Sequence, residues 1–168
     1  MPIGGVDLRH ARAHDPGQVT LAAVDAALWD ACARPRELEA GEAVTLGFDG
    51  SHSQDGTALV GCTLDGYLFM IELLERPAKL DVWRVDRARL DDAVERAFET
   101  YDVRALYCDP WGWRDEQAEW AARFGQERVL ELPTNSVQRM PPAVDRLRTA
   151  LAEGRISHSG DLDLRRIC

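Results

Sequence analysis

The pattern of hydrophobic and polar positions changes character at about residue 80. Before that point, short apolar runs follow one another and are separated by turn-forming residues; after it, apolar runs alternate with stretches of helical spacing. Apolar runs bounded by turn residues predict strands near 44–49, 57–64, 67–74, 104–108 and 128–132. Apolar stripes predict helices over about 18–33, 86–101, 113–124 and 142–153, followed by a short strand and an acidic turn at 156–163.

This order of elements predicts an α/β fold built on a mixed five-stranded sheet. The first three strands would form an antiparallel meander, since short turns connect them and Asp65-Gly66 is a strong turn signal. The last two strands would be parallel, since helices separate them, and helices would then cover both faces of the sheet. We expect residues 1–35 to form a loosely packed lead-in and a helix, and residues 36–168 to form the main domain.

Two carboxylates follow buried strands of this predicted sheet. Asp49 ends the first strand, and Asp109 follows the fourth, where Pro110 cannot continue a strand ladder. We expect these strands to be neighbours, so both carboxylates would project from the edge where α/β sheets bind ligands. Two adjacent carboxylates repel unless a divalent cation neutralises them.

A third acid, Asp161 or Asp163, arrives after the last helix. Three acids so placed are typical of a site for two hard cations about 3.5–4 Å apart that supports phosphodiester cleavage. The alternative interpretation is that the acids only cap turns at strand ends.

Composition limits the partners. The formal net charge of −9 disfavours tight DNA binding, because phosphate contacts need Lys and Arg. A local Arg face remains available, since Lys79 is the one Lys among the 20 basic residues. The candidates for DNA contact are Arg146, Arg148 and Arg155, for which a solvated charged face is the simpler interpretation.

The chain carries no pattern that indicates a membrane or an oxidising compartment. Its four cysteines lack metal-type spacing and predict thiols in a reducing compartment. No apolar run reaches the length of a membrane span, and the first residues do not have the pattern of a signal peptide. We therefore expect no membrane partner and a cytoplasmic location.

Four motifs in this order resemble those of a known family. They are GFDGSHSQDGTALV at 47–60, DPWGW at 109–113, ELPTN at 131–135 and GRISHSGDLDL at 154–164. Together they are similar to the C-terminal nuclease domain of the large terminase subunit of tailed bacteriophages. The resemblance implies a ribonuclease H-like fold and a metal-dependent endonuclease that cuts concatemeric viral DNA for packaging, with two Mg²⁺ or Mn²⁺ ions.

The resemblance also assigns residues. Asp49 matches the family's first-strand acid, and Asp109 matches the acid after the fourth strand. Asp161 matches the third acid best, with Asp163 as the alternative. Asp55 matches an acidic position in the first turn, whose role is structural or indirect.

The resemblance further implies double-stranded DNA as the substrate. The implied partners are a separate terminase ATPase domain, the small terminase subunit and the portal protein, in the cytoplasm of a bacterial host that carries the phage or prophage. The chain has no G-x-x-x-x-G-K-[ST] motif, so it is not a packaging motor by itself. The family pattern continues into another helix, whereas this chain stops at Cys168.

Three further side chains have two interpretations each. His158 either lies near the metal site, without binding the metal, or is a packed residue. Trp111 and Trp113 either stack on DNA bases or pack the start of a helix against the sheet.

Two rival functions stay open. Asp-Gly-Ser after the first strand also suits the phosphate-binding hairpin of an actin-like or kinase-type nucleotide-binding domain. A non-catalytic interaction remnant of a terminase would keep the fold without metal-dependent activity.

Overall fold

The computed structural model describes residues 24–50, 56–77, 79 and 83–167. Its helices are α1 (Ala26–Ala31), α2 (Arg87–Thr100), α3 (Arg114–Phe124), α4 (Met140–Ala152) and α5 (Leu162–Ile167). Its strands are β1 (Ala43–Asp49), β2 (Thr57–Thr63), β3 (Tyr67–Leu74), β4 (Asp102–Cys108), β5 (Val129–Glu131) and β6 (Ser157–His158).

The strands of the described residues form one mixed sheet in the order β5-β4-β1-β2-β3-β6. The predicted meander is confirmed, because β1 pairs antiparallel with β2 and β2 antiparallel with β3. The predicted parallel strands are confirmed as well, since β4 pairs parallel with β1 and β5 parallel with β4. The carboxyl ends of β1, β4 and β5 therefore meet at one end of the sheet, which we call the carboxyl edge.

One face of the sheet packs against α2 and α3. Alternate residues of β1 are buried on this side, as the period of two in a strand requires, and Phe48 is the last of them. The start of α2 is capped as predicted: the Asp86 side chain accepts a hydrogen bond from the Arg89 N–H at 3.1 Å. Its apolar stripe, which includes Leu90 and Val94, joins the same core as Trp113 and Trp120.

The opposite face packs against α1, α4 and α5. A second cluster joins Trp29 and Cys32 of α1 and its cap to Leu151 of α4 and Leu164 of α5. Val60 of β2 is one of the sheet residues that pack against this cluster. Helices thus lie on both faces of the sheet, and the predicted layering is confirmed.

The prediction of a five-stranded sheet is wrong in number, because β6 adds a sixth strand in the described part of the chain. This strand is the short one predicted after the last helix, and it pairs parallel with the start of β3 at Tyr67 and Leu68. Only two residues pair, so the sequence carries too little periodicity to place them in the sheet.

The predicted acidic turn continues into helix α5. Asp161 accepts hydrogen bonds from the N–H groups of Asp163 at 2.7 Å and Leu164 at 3.2 Å, and these two bonds cap the helix start. Within the described residues, the first predicted helix is α1, Ala26–Ala31, which Asp25 caps; residues 18–23 of the prediction lie outside the described ones. No helix within the described ranges is long and apolar enough to cross a membrane.

Candidate metal-binding site at the carboxyl edge

Asp49 and Asp109 follow neighbouring parallel strands. Phe48 is paired with Cys108 in the ladder between β1 and β4, and the Asp109 N–H donates to the Phe48 carbonyl at 3.1 Å. The two aspartates therefore occupy equivalent positions, one strand spacing of about 4.8 Å apart. The fold brings these two predicted site residues together.

The two residues that precede these aspartates are buried. Phe48 is 3% exposed and Cys108 is 0% exposed, both in the core under α2 and α3. Because strand side chains alternate between faces, Asp49 is directed away from that core. Asp49 is exposed and Asp109 is half-buried. The pair therefore lies where the apolar core meets solvent.

Burial determines the chemistry of Cys108, the core residue that precedes Asp109. Loss of hydration raises the pKa of the Cys108 thiol to about 11, against a smaller opposing effect of the Gln117 side chain. The Gln117 side-chain amide also donates to the Cys108 carbonyl at 3.2 Å. The thiol beneath the carboxylates is therefore neutral and inert at physiological pH.

The Asp109 carboxylate is held by three donors. Its Oδ1 accepts from the Trp111 N–H at 3.1 Å. Its Oδ2 accepts from the Thr134 hydroxyl and from the Thr134 N–H, the latter at 3.3 Å. Hydrogen bonds to both oxygens restrict the rotation of the side chain.

Thr134 reaches Asp109 from the neighbouring strand. β5 lies beside β4, and the Leu132 N–H donates to the Cys108 carbonyl at 2.7 Å, which extends the pairing one residue past β5. Pro133 then ends the ladder because it has no N–H. Thr134 belongs to the ELPTN motif at 131–135, but the motif indicated no role for it. The available signal was its position after a strand that ends at the same end of the sheet.

The two tryptophans after Asp109 have different environments. Trp113 is fully buried, and its ring meets the Phe48 ring edge to face at 5.1 Å. Trp111 is 82% exposed. Gly112 lies between them with a φ of +76°, a conformation that separates the two side-chain directions and favours glycine. The packing interpretation is confirmed for Trp113, whereas Trp111 does not pack the start of the helix.

Trp113 also supports the residue that follows Asp49. A Cβ atom at Gly50 would lie 2.4 Å from the Trp113 Nε1 atom and 2.6 Å from the Phe48 Cζ atom. Glycine is therefore required for the chain to leave β1 this close to the buried indole.

Among the described residues, Asp161 and Asp163 do not join this pair in a group of three acids arranged to hold a metal, and their role in the site stays a prediction. β6 lies three strands from β1, roughly 14 Å to the side. Asp161 caps α5, and Asp163 forms an ion pair with Arg166 at 2.7 Å on the same helix. β6 is parallel to β3 and therefore to β1, and Arg166 joins Asp163 to Glu75, the residue directly after β3.

His158 is a packed residue. It is 2% exposed and stacks on Trp29 with ring centroids 4.1 Å apart. Its Nδ1 accepts from the Gly160 N–H at 3.0 Å, so Nε2 carries the proton and donates to the Trp29 carbonyl at 2.8 Å. Nε2 thus ties β6 to α1, whereas Nδ1 is bound by the backbone just after β6.

The predicted DNA-contacting arginines are exposed but partly paired. Arg148 forms an ion pair with Asp145 at 3.4 Å, and Arg155 forms one with Glu153 at 2.6 Å. Arg146 is exposed on α4. A solvated charged face accounts for these contacts, and a role in DNA binding stays a prediction. Asp55 lies outside the described residues.

The donor set at the carboxyl edge fits a hard cation. Carboxylate and other oxygen ligands are those that Mg²⁺ and Mn²⁺ prefer. Among the residues that the structure describes, no group of three or more His, Cys, Asp or Glu side chains is arranged to hold a metal. The described site is therefore a pair of carboxylates.

Strand order and layering define a mixed α/β domain with a ribonuclease H-like fold. Solved structures that match it include a phage large terminase and a phage large terminase nuclease. The chain superposes on the HK97 bacteriophage large terminase with a TM-score of 0.64 and 21% identity, covering 84% of this chain and 35% of that one. The large terminase nuclease of thermophilic phage G20c gives a TM-score of 0.58 and 15% identity, with 87% and 77% covered.

The G20c nuclease has also been solved with bound magnesium, and that structure matches with a TM-score of 0.57 and 19% identity over 82% of this chain and 74% of that one. The predicted fold, that of a terminase nuclease domain, is confirmed by these matches.

The curated relatives are phage proteins. The chain is 37% identical over 138 residues to the Gene 13 protein of Mycobacterium phage D29, covering 76% of this chain and 23% of that protein. The Gene 13 protein of Mycobacterium phage L5 is 36% identical over the same coverage. The chain thus spans about a quarter of the length of the curated relatives it matches. No protein-family model matches the chain.

Proposed function

We propose that this chain is a metal-dependent DNA endonuclease of the phage terminase type. The observation that carries the proposal is the pairing of Phe48 with Cys108, which sets Asp49 and Asp109 side by side after parallel strands. Like charges are brought this close in proteins mainly where a cation offsets their repulsion. The terminase nuclease fold supports the same conclusion.

Asp49 and Asp109 would hold the metal, and we propose two Mg²⁺ or Mn²⁺ ions. The magnesium-bound structure of the G20c nuclease supports the use of a divalent cation. When bound, such ions polarise the phosphate, activate water and stabilise the leaving oxygen. Asp55 stays a proposed contributor near the site, and Asp161, with Asp163 as the alternative, stays the proposed third acid.

The protein's own groups hold the two carboxylates in place. Asp109 accepts hydrogen bonds from Thr134 and from the Trp111 N–H, so its orientation is set before a metal or DNA arrives. Asp49 ends a strand whose last buried residue, Phe48, packs on Trp113. A preorganised pair of ligands costs no reorganisation when the phosphate is bound.

The proposed substrate is double-stranded DNA, and the proposed role is cleavage of concatemeric viral DNA during packaging. An ATPase domain, a small terminase subunit and a portal protein would be partners, in the cytoplasm of the bacterial host. With a net charge of −9, the isolated chain should bind DNA weakly and lose activity as salt rises.

The test is cleavage of supercoiled plasmid at low salt with Mn²⁺, Mg²⁺ or EDTA. Wild type should cut with metal and stop with EDTA. Asp49→Asn and Asp109→Asn should each lower the rate by more than about a hundredfold, since loss of groups that merely orient metal ligands already costs about 10- to 100-fold.

The matched control is Asp102→Asn. Asp102 begins β4, the strand that Asp109 follows, and it pairs with Arg104 in an exposed salt bridge of 2.7 Å. This variant should cut like wild type. No cleavage by folded wild type, or full cleavage by Asp49→Asn, would refute the proposal; a thermal shift with ATP instead would favour a nucleotide-binding domain.

A further inference from the structure

We propose that Thr134 is a positioning residue for Asp109 that sets the affinity of the site for its metal. This inference rests on the proposed function, because it assigns a role within the same site. It is carried by the two hydrogen bonds that Thr134 donates to one oxygen of Asp109, from a loop 25 residues away in sequence.

The number of acceptor positions on the Asp109 carboxylate shows which of its oxygens a cation can bind. A carboxylate offers about four lone-pair positions, two on each oxygen. Thr134 occupies both positions on Oδ2 through its hydroxyl and its N–H, and the Trp111 N–H occupies one on Oδ1. The position that remains is on Oδ1, so Oδ1 is the atom available to a cation.

Two rigid elements hold the Thr134 hydroxyl in place. β5 is paired with β4 through the residue before Pro133, which fixes the loop relative to Asp109. Thr134 is itself half-buried, so water competes only partly for the contact. Without the hydroxyl, Oδ2 would keep the weaker bond from the N–H at 3.3 Å, and the carboxylate could rotate.

The test compares Thr134→Val, which removes the hydroxyl at nearly constant volume, with Thr134→Ser, which keeps it. Mn²⁺ binding is measured without DNA by isothermal titration calorimetry. Thr134→Val should bind Mn²⁺ about tenfold more weakly, in the range found for groups that orient metal ligands. Thr134→Ser should stay close to wild type. In plasmid cleavage, Thr134→Val should need more Mn²⁺ for half-maximal rate, with a smaller change in rate at saturation.

Thr149→Val is the matched control, because the Thr149 hydroxyl donates to a backbone carbonyl on exposed α4 at 2.9 Å, away from the carboxyl edge. It should bind Mn²⁺ like wild type. Circular dichroism melts check folding, and Thr134→Ala replaces Thr134→Val if the latter does not fold.

The outcomes separate the two proposals. If wild type binds and cuts but Thr134→Val binds Mn²⁺ equally well, only the positioning role is overturned. Equal loss in Thr134→Ser also overturns it, because the hydroxyl is then not the determinant. If wild type binds no Mn²⁺, the proposed function fails and the positioning role fails with it.

Discussion

Gly50→Ala tests whether the packing behind the carboxyl edge controls the position of Asp49. The substitution adds one methyl group directly after Asp49. That carbon would lie 2.4 Å from the Trp113 Nε1 atom and 2.6 Å from the Phe48 Cζ atom. Favourable contacts between such atoms lie at about 3.5–4.0 Å, so something must move by about 1 Å.

Moving the ring of Trp113 or of Phe48 would cost free energy, because both are packed in the core. Trp113 is 0% exposed and Phe48 is 3% exposed, and the two pack edge to face in the same core. Overpacking of such a core costs about 1–3 kcal/mol. Gly50 does not have a positive φ, so the cost arises from contact rather than from backbone strain. A loss of about 2 kcal/mol corresponds to a fall in Tm of about 4–8 °C for a domain of this size.

Gly47→Ala is the matched control on the same strand. A Cβ atom at Gly47 would meet nothing within 4 Å, and this residue has no positive φ either. Alanine there should leave stability unchanged or raise it by up to about 1 kcal/mol, because glycine loses more conformational freedom on folding.

The assay combines urea unfolding with Mn²⁺-dependent plasmid cleavage. Gly50→Ala should lower the free energy of unfolding and reduce cleavage more than its lost stability explains, because the shift displaces Asp49. Gly47→Ala should do neither. Equal stability of the two variants would refute the packing argument, and normal cleavage by a destabilised Gly50→Ala would refute the link to Asp49.

Two further predictions concern Trp111 and Cys108. If the Trp111 indole stacks on a base, Trp111→Ala should weaken binding of a short DNA duplex by about 1–3 kcal/mol, measured by fluorescence anisotropy in EDTA at low salt. The control is Leu64→Ala, because Leu64 is a distant apolar residue that is 69% exposed. Equal effects of the two substitutions on DNA binding would exclude stacking. Burial raises the Cys108 pKa to about 11, so the stability this thiol contributes is present below about pH 9 and is lost as pH rises through 11. Wild type should therefore lose up to about 2–3 kcal/mol more than Cys108→Ala over that range in unfolding titrations, whereas parallel pH profiles would contradict the shift.

The sheet could be predicted from the sequence because its signals are local. Each of the five predicted strands is a continuous apolar run with turn residues or a proline at its end, and the order of strands and helices then determines which strands neighbour each other. The juxtaposition of Asp49 and Asp109 follows from those two facts alone. β6 was not predicted as part of the sheet because two residues are too few to show the alternation of apolar and polar side chains that indicates a strand.

The details of the site depended on loop conformation, which spacing does not determine. Trp111 and Trp113 are two residues apart, and a φ of +76° at Gly112 decides that one is exposed and the other buried. The contact of Thr134 with Asp109 joins loops 25 residues apart in sequence, so no local pattern indicates it. Loop conformation is therefore the part of a structure that a single sequence predicts least well.

Asp161 shows why the order of an acid along the chain does not by itself determine its role. Asp49 and Asp109 follow strands whose carboxyl ends meet, so their backbone positions bring the carboxylates together. Asp161 follows a strand too, but β6 pairs with the start of β3, three strands to the side of β1. Its Oδ1 accepts two N–H groups at the start of α5, a role that Asp performs at many helix starts. Because capping and metal binding use the same residue type, the order of elements along the chain does not separate the two roles.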